Sequence, residues 1–149
     1  MEVKKPISEW SVASAIPFIK SWEGCRLEAY RCTSGVATIG WGHTKGVSMG
    51  DRITIEEAEK YLNDDLIGFQ QELTPLISVM LTEGQFQAIM SFVFNVGVQA
   101  FKDSTLRKKL NAGDFEGAQA QFGRWVYDNG KILKGLEDRR KAEAELFAK

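Results

Sequence analysis

Four side chains that could do chemistry lie in one segment of the sequence, WEGCRLEAYRCTSGVATIGWGH, residues 22 to 43. They are Glu23, Cys32, Thr38 and His43, the only histidine of the chain. A carboxyl group can donate a proton, a thiol can act as base or nucleophile, and a hydroxyl can hold a water molecule. Unlike polar groups spaced among apolar residues are typical of the wall of a cleft.

Glu23 stands where the pattern predicts the C-terminal end of a first helix, just before Gly24. The negative end of the helix dipole and the neighbouring Trp22 favour the protonated carboxyl group, which is the form that a general acid needs. From its position alone, Glu23 could equally be a surface residue beside a glycine that ends the helix.

Each of the other three residues has an ordinary structural interpretation as well. Thr38 lies in an apolar run, so a hydroxyl pointing inward needs a hydrogen-bond partner such as water or substrate, but threonine is also common in strands. Cys32 could be a small buried apolar residue. His43 could form a thiolate–imidazolium pair with Cys32 or serve as a structural hydrogen-bonding group.

The elements that must position these residues begin with a helix and a hairpin. A first helix is predicted between Ser11 or Ser14, as its N-cap, and Gly24, with Pro17 in its first turn. Its apolar face comprises Ala15, Phe18, Ile19 and Trp22. The segments AYRC and VATIGWG then read as two strands joined by the loop Thr33-Ser34-Gly35.

The remainder of the chain reads as helices. Thr54 with Glu57 forms a capping box that opens a helix to about Glu72, before Pro75. A second capping box, Thr82 with Gln85, opens an apolar segment that we expect to be the central buried helix. The later predicted elements are a helix from Asp103 or Ser104 to Gly113, a helix from Asp114 to about Trp125, a turn at Asn129-Gly130 and a last helix from about Leu136 to Phe147.

This pattern predicts an α+β, mostly α-helical chain, residues 1–149, forming a single domain of two lobes. We expect a small N-terminal lobe containing the hairpin, at about 14–53, and a helical C-terminal lobe, at about 74–149. The helix at 54–73 would join them, and a polymeric ligand would lie in the cleft between the lobes.

Composition and charge exclude several classes of protein. The net charge is −1, and the basic residues of the last third are interleaved with acids, Glu143 among them, so they do not form the dense basic stripe of a nucleic-acid interface. This pattern fits a solvated helical surface or a mildly cationic face toward an anionic polymer. Two cysteines seven residues apart favour neither a disulfide framework nor a zinc site. No apolar run of a membrane span or secretory signal is present, so we expect synthesis in the cytoplasm.

The spacing of the candidate residues resembles a known catalytic signature. Glu23, eight residues, Cys32, five residues, Thr38 and then IGWGHT is similar to the motif of the phage-type lysozymes, the family that includes the bacteriophage T4 enzyme. In that family the middle residue is Asp or, in some members, Cys. The segments QFQAIMSFVFNVG, STLRKKLNAGDF and FGRWVYDNGKILKGLEDRRKAEAELF extend the resemblance over nearly the whole chain from about Ser14.

The resemblance implies a lysozyme-like fold and an endolysin that is a muramidase. It would hydrolyse the β-1,4 bond between N-acetylmuramic acid and N-acetylglucosamine in bacterial peptidoglycan. Glu23 would protonate the leaving oxygen and Thr38 would hold a water molecule on the other face of the sugar. Arg139 matches an arginine near the catalytic glutamate, Asn95 matches a polar residue lining the cleft, and His43 matches a structural histidine.

Cys32 departs from the commoner pattern, because a thiol stands where most family members have a carboxylate. A free thiol is mostly protonated at neutral pH, and a nearby Glu23 carboxylate would favour that form, unless Arg26, Arg31 or Arg139 lies close enough to favour the thiolate. Three roles stay open for Cys32: a base for water, a nucleophile that forms a glycosyl thioether, or packing alone. The stereochemistry of the reaction is open with them.

Three functions remain to be distinguished. The first is the muramidase, the second a peptidoglycan-binding protein with a decayed site, and the third a cell-wall amidase or peptidase that uses Cys32 and His43. For the muramidase we expect no metal, no organic cofactor, no nucleic-acid partner and a monomer. The resemblance implies a protein made in the host cytoplasm that needs a holin-type partner to breach the membrane before it reaches the periplasmic wall.

Overall fold

The computed structural model describes residues 2–149, which form seven α-helices and two pairs of antiparallel strands. Short 3₁₀ segments connect some of them. The chain is therefore α+β and mostly helical, as predicted. The elements are α1 (Ile16–Lys20), β1 (Arg26–Arg31), β2 (Ala37–Gly40), α2 (Ile55–Leu73), α3 (Glu83–Val96), α4 (Val98–Lys102), α5 (Thr105–Asn111), α6 (Phe115–Gln121), β3 (Tyr127–Asp128), β4 (Lys131–Ile132) and α7 (Lys134–Phe147).

The first helix is shorter than predicted. A 3₁₀ turn capped by the Ser11 hydroxyl leads into α1, which ends at Lys20 and does not reach Gly24. The Ser21 hydroxyl donates to the Phe18 carbonyl at 2.5 Å, which supplies that carbonyl with a partner other than the next helical N–H. Glu23 therefore lies three residues beyond α1, although its N–H still donates to the Ile19 carbonyl at 3.1 Å.

The predicted hairpin is present and is closed by a short loop. In the antiparallel ladder of β1 and β2, Tyr30 lies opposite Thr38. At the loop the Cys32 N–H donates to the Val36 carbonyl at 3.0 Å, and Gly35, with φ +85°, donates to the Cys32 carbonyl at 2.8 Å. The left-handed conformation at Gly35 is one that glycine adopts without steric cost, so this residue allows the tight loop that places Cys32.

Both predicted capping boxes open the helices expected from them. Thr54 with Glu57 opens α2, and Thr82 with Gln85 opens α3. Most of α3 is buried, and α7 packs along it, so α3 is the central helix of the core. The largest buried apolar side chains are Phe86, Phe92, Phe101, Phe122, Phe147, Ile7, Ile19, Ile39, Leu62, Leu66 and Leu73.

The C-terminal elements agree with the prediction in order but differ at their ends. Ser104 caps α5, as one of the two predicted starts. After Gln121 the chain continues to Arg124 as a 3₁₀ turn, so α6 stops before Trp125. Helix α7 begins at Lys134 and not at Leu136. Its N-cap is Leu133, which has no capping side chain, so the sequence carries no signal for this start.

Three further short elements, β3, β4 and α4, were absent from the prediction. Asn129 and Gly130, both with positive φ, form the predicted turn, and this turn joins the two-residue strands β3 and β4. Such two-residue strands are too short to show an alternating pattern, and the five-residue α4 is too short to show a helical one.

None of the helices within residues 2–149 is long and apolar enough to cross a membrane.

The N-terminal turns and the hairpin both pack against helices outside the predicted N-terminal lobe. Residues of the 3₁₀ turn before α1 pack against α2 and α3, and Lys5 pairs through its backbone with Leu81. The β1–β2 hairpin packs against α2, where Gly40 approaches Ala58. The boundaries 14–53, 54–73 and 74–149 stay a prediction.

Candidate active site

Glu23 is held by an arginine from the far end of the chain. The Nη1 atom of Arg139, on α7, donates to Oε2 of Glu23 at 2.6 Å. The Glu23 side chain is 23% exposed and that of Arg139 only 5%, so the carboxylate faces the solvent over a buried guanidinium. A charge-assisted hydrogen bond of this length fixes the direction in which the carboxyl group points.

Arg139 is in turn held by a buried cluster between α3 and α7. Its Nη2 donates to the backbone carbonyl and the hydroxyl oxygen of Ser91 at 3.1 and 3.2 Å. Its Nε lies 3.3 Å from Oε2 of Glu143, which is fully buried. Arg140 lies 2.9 Å from the other oxygen of Glu143 and donates to the side-chain oxygen of Asn95. The cluster thus connects Glu23 to Asn95 through α7.

The structure changes the expectation for the charge of Cys32. The pKa of its thiol is lowered from 9.0 to about 7, chiefly by the hydrogen bond with the Ser34 hydroxyl at 2.9 Å. Backbone N–H groups of Ser34 and Val36 contribute further. The expectation of a thiol that starts neutral beside Glu23 was therefore wrong, because loop hydrogen bonds and not neighbouring charges determine its ionisation.

The arginines considered as stabilisers of a Cys32 thiolate are engaged elsewhere. Arg31 donates to the Gly35 carbonyl at 3.2 Å, Arg26 lies over the ring of Tyr30, and Arg139 is bound to Glu23. Each guanidinium thus satisfies a different acceptor or an aromatic face. The lowered pKa of Cys32 is a property of its own loop.

Thr38 points inward, as one of its two interpretations required. It is 3% exposed, and its hydroxyl donates to the Val36 carbonyl at 2.9 Å. The partner that was expected to be water or substrate is thus supplied by the loop, and the hydroxyl oxygen keeps acceptor capacity. The Thr38 side chain is also a smaller cause of the lowered pKa of the Cys32 thiol, so these two side chains lie near each other.

His43 does not pair with Cys32. Its Nδ1 lies 2.9 and 3.1 Å from the two carboxylate oxygens of Asp65 on α2, and its ring stacks on Tyr61 with centroids 4.3 Å apart. Its backbone pairs with Ile39 in β2. These contacts hold the end of the hairpin against α2. His43 therefore has the structural role that was one of its two interpretations.

Three adjoining cavities surround Glu23 and Asn95. One of about 290 Å³ is lined by both residues together with Lys45 and Asp65, and one of about 530 Å³ by both together with Arg139. A third, of about 500 Å³, is lined by Asn95 and by Thr33, the neighbour of Cys32. A larger cavity, of about 700 Å³, lies between α6 and α7 and contains none of the candidate catalytic residues.

Histidine, cysteine and acidic side chains are the groups that could bind a metal ion in the part of the chain that the structure describes. Residues 2–149 contain no group of three or more histidine, cysteine or acidic side chains that could hold a metal ion. Cys25 and Cys32 are both free thiols. Burial raises the pKa of the Cys25 thiol, whereas that of Cys32 is lowered.

Sequence reasoning missed several residues that hold the site. They are Ser34 beside Cys32, Tyr61 and Asp65 beside His43, and Ser91 and Glu143 beside Arg139. Signals for some of them existed. Tyr61 and Asp65 are four residues apart on one helix face, Ser91 is a polar residue in an apolar helix, and Glu143 lies four residues after Arg139.

Comparison with known proteins gives this geometry a family. Residues 20–143 match the family described as Phage lysozyme. The chain belongs to that family. It is 49% identical over 133 residues to an endolysin of Acyrthosiphon pisum secondary endosymbiont phage 1, a match that covers 87% of this chain and 91% of that protein. It is 42% identical over 137 residues to an endolysin of Bacillus phage B103, but spans only about half (52%) of that longer protein.

Solved structures of phage lysozyme type share the fold. The muramidase domain of SpmX from Asticaccaulis excentricus has a TM-score of 0.84 and 34% identity, covering 91% of this chain and 95% of that one. An endolysin from Escherichia coli O157:H7 phage FAHEc1 has a TM-score of 0.80 and 34% identity, covering 99% and 96%. Membership makes this chain a lysozyme, a glycoside hydrolase of the phage endolysin type, and favours this interpretation over the amidase.

Proposed function

We propose that Glu23 is the general acid of a muramidase that cleaves the β-1,4 bond between N-acetylmuramic acid and N-acetylglucosamine in bacterial peptidoglycan. The observation that supports this most directly is the position of Glu23. It lies on the wall of two adjoining cavities, partly exposed, with its carboxyl group oriented by Arg139 at 2.6 Å. A polysaccharide needs an open cleft of this kind, in which one acid reaches the glycosidic oxygen.

Cys32 and Thr38 handle the water molecule in this proposal. With a pKa of about 7, a large fraction of the Cys32 thiol is thiolate at neutral pH, which suits a base that takes a proton from water. The Thr38 oxygen, whose proton is bound by Val36, accepts a hydrogen bond from the same water. Water then attacks the sugar carbon while Glu23 gives its proton to the leaving oxygen, and Cys32 ends protonated and Glu23 ionised.

The first experiment compares Glu23→Gln with the unchanged enzyme on purified peptidoglycan. Glutamine keeps the shape of the side chain but cannot donate the proton, so we expect loss of new reducing ends by at least about 100-fold. Mass spectrometry of the released muropeptides identifies the bond that is cut. Glu72→Gln, an exposed residue of α2, makes the same chemical change away from the cleft and serves as the control.

Three variants at position 32 separate the possible roles of the thiol. Cys32→Asp retains a base and should retain activity, whereas Cys32→Ser should lose most of it, because a serine hydroxyl is a poor base at neutral pH. Intact-mass analysis during turnover would reveal a glycosyl thioether if Cys32 were a nucleophile. Full activity in Glu23→Gln would contradict the proposal, and full activity in Cys32→Ser would remove Cys32 from it.

Access to the wall forms the second part of the proposal. We infer that the enzyme is made in the host cytoplasm, acts as a monomer and reaches the periplasmic wall after a holin-type partner breaches the membrane. The relatives named above are endolysins, which supports action on the cell wall. Expression in Escherichia coli tests this inference. We expect lysis to require a co-expressed holin or chloroform, and light scattering to give the monomer mass.

The two-lobe division is also proposed for this chain, with lobes at about 14–53 and 74–149 joined by the helix at 54–73. It is supported by the packing of the β1–β2 hairpin against α2.

A further inference from the structure

Two acid–base pairs meet in the cluster beneath Glu23. Arg139 contacts Glu23 through Nη1 and Glu143 through Nε, at 2.6 and 3.3 Å, while Arg140 contacts the far oxygen of Glu143 at 2.9 Å. The Glu143 side chain is 0% exposed. With all four groups ionised the cluster is neutral, and with Glu23 protonated, as catalysis requires, it carries one positive charge.

The buried carboxylate of Glu143 is paired with both arginines. Burial raises the pKa of Glu143, but both arginines and the Ser91 hydroxyl, which donates to Oε2 at 2.6 Å, favour the ionised form. Separating the partners of a buried ion pair leaves an uncompensated charge in the core and costs free energy. The two guanidiniums and this carboxylate therefore hold one another in place.

We propose that Glu143 is a positioning residue for catalysis: it shares the guanidinium of Arg139 with Glu23 and offsets its charge, so that Arg139 can orient Glu23 without keeping it ionised. An arginine bound to Glu23 alone would favour the carboxylate, the form that cannot protonate the leaving oxygen. A second negative charge, at another nitrogen of the same guanidinium, opposes this effect. The inference rests on the proposed role of Glu23 as general acid.

The size of the effect follows from the geometry. Both carboxylates contact one planar guanidinium, so their nearest oxygens are at most about 8 Å apart. Like charges at this separation, in the intermediate dielectric of a partly buried site, change a titration midpoint by about one pH unit. Loss of the Glu143 charge should therefore move the alkaline limb of the activity profile to lower pH by about one unit.

Other charged groups near Glu23 and Glu143 act as a constant background in this comparison. Lys45 and Asp65 line one cavity beside Glu23, and Lys134 of α7 lines the other. Asp65 is itself bound to His43. On the α3 side, Glu143 faces only the neutral Ser91, and Asn95, also neutral, contacts Arg140. None of the charged residues named here is changed in the variants below, apart from Glu143 and Arg140 themselves.

The test is the pH profile of reducing-end release by the full chain with Glu143→Gln. Glutamine keeps the size and hydrogen-bonding oxygen of the side chain but removes its charge. We expect the alkaline limb of kcat/KM, on which the acid deprotonates, to move to lower pH by about one unit, and the acid limb to stay in place. A limb that stays in place in folded Glu143→Gln overturns the proposal.

Two further variants distinguish charge from packing. Arg140→Met removes a positive charge from the same cluster, so the alkaline limb should move in the opposite direction, to higher pH. Ser91→Ala removes hydrogen bonds to Glu143 and Arg139 without changing any charge, so it should lower thermal stability and leave the limb in place. Arg140→Met keeps the test valid if Glu143→Gln does not fold, since a limb that fails to rise in it also overturns the proposal.

Failure of this inference is distinguishable from failure of the proposed function. If Glu23→Gln retains activity, the acid has been assigned wrongly and the profile of Glu143→Gln carries no information about Glu23. If Glu23→Gln is inactive while the limb is unmoved in both Glu143→Gln and Arg140→Met, the muramidase mechanism stands and Glu143 is only structural.

Discussion

The loop hydrogen bond between Ser34 and Cys32 gives a quantitative prediction. The pKa of Cys32 is about 7 instead of 9.0, and the Ser34 hydroxyl is the largest cause. At pH 7 about half of the thiol is ionised with the lowered pKa, compared with about 1% at the ordinary value. Ser34→Ala removes the hydroxyl but leaves the backbone N–H groups of Ser34 and Val36, so we expect a midpoint near pH 8.

The rate of alkylation by iodoacetamide reports this midpoint, because the thiolate is the reactive form. With the midpoint raised to about pH 8, alkylation at pH 7 should slow about fivefold. All variants should carry Cys25→Ser, so that a single thiol is observed. Thr33→Ala, a change at the neighbouring exposed position of the same loop, should leave the midpoint unchanged.

Activity should follow the same titration if Cys32 is the base. A base works only when deprotonated, so muramidase activity should fall as the pH drops through the midpoint, and Ser34→Ala should move this acid limb to higher pH. An alkylation midpoint near 9 in the unchanged loop, or one that Ser34→Ala does not move, would refute the hydrogen-bond account. A moved alkylation midpoint with an unmoved acid limb would refute Cys32 as the base.

Two further predictions concern stability. His43→Ala loses its carboxylate partner and its stacked tyrosine, so we expect the free energy of unfolding, measured by urea denaturation, to fall by about 1 kcal/mol. Reducing-end release should still be measurable. Complete loss of activity in a folded variant would contradict the structural role. Gly84→Ala should destabilise the protein by about 1–3 kcal/mol, because a Cβ there would lie 2.4 Å from the backbone oxygen of Leu146. Gly68→Ala, on α2 with no heavy atom within 4 Å of the added Cβ, is its matched control and should stabilise the protein by up to about 1 kcal/mol.

The elements with local signals were predictable from the sequence. Thr54 and Thr82 each cap a helix through a hydrogen bond with the residue three positions later, and the turn at Asn129-Gly130 needs only its own two residues. The end of α1 was not predictable, because the Ser21 hydroxyl competes with the backbone for the Phe18 carbonyl. Such competition depends on the rotamer of one side chain and leaves no periodic pattern.

The ionisation of Cys32 shows a similar limit within the site. The sequence places several charged residues near Cys32 along the chain, and those charges were the reasonable causes to consider. The structure orients Arg31 toward the Gly35 carbonyl and Ser34 toward the sulfur. Loop conformation therefore decides which of several neighbouring polar groups controls a titration.

Helix α7 demonstrates why buried charge is hard to recognise in a sequence. Arg139, Arg140 and Glu143 occur among other charged residues, a pattern typical of a solvated helical surface, yet all three are buried against α3. Their spacing allows one carboxylate to contact both guanidiniums, so the face that enters the core keeps one net positive charge, which Glu23 offsets. The remaining charged contact of Arg139 is Glu23. The residues that make α7 compatible with the core therefore also orient the proposed acid. A change in their charge should alter the pH profile of activity at a smaller perturbation than is needed to unfold the protein.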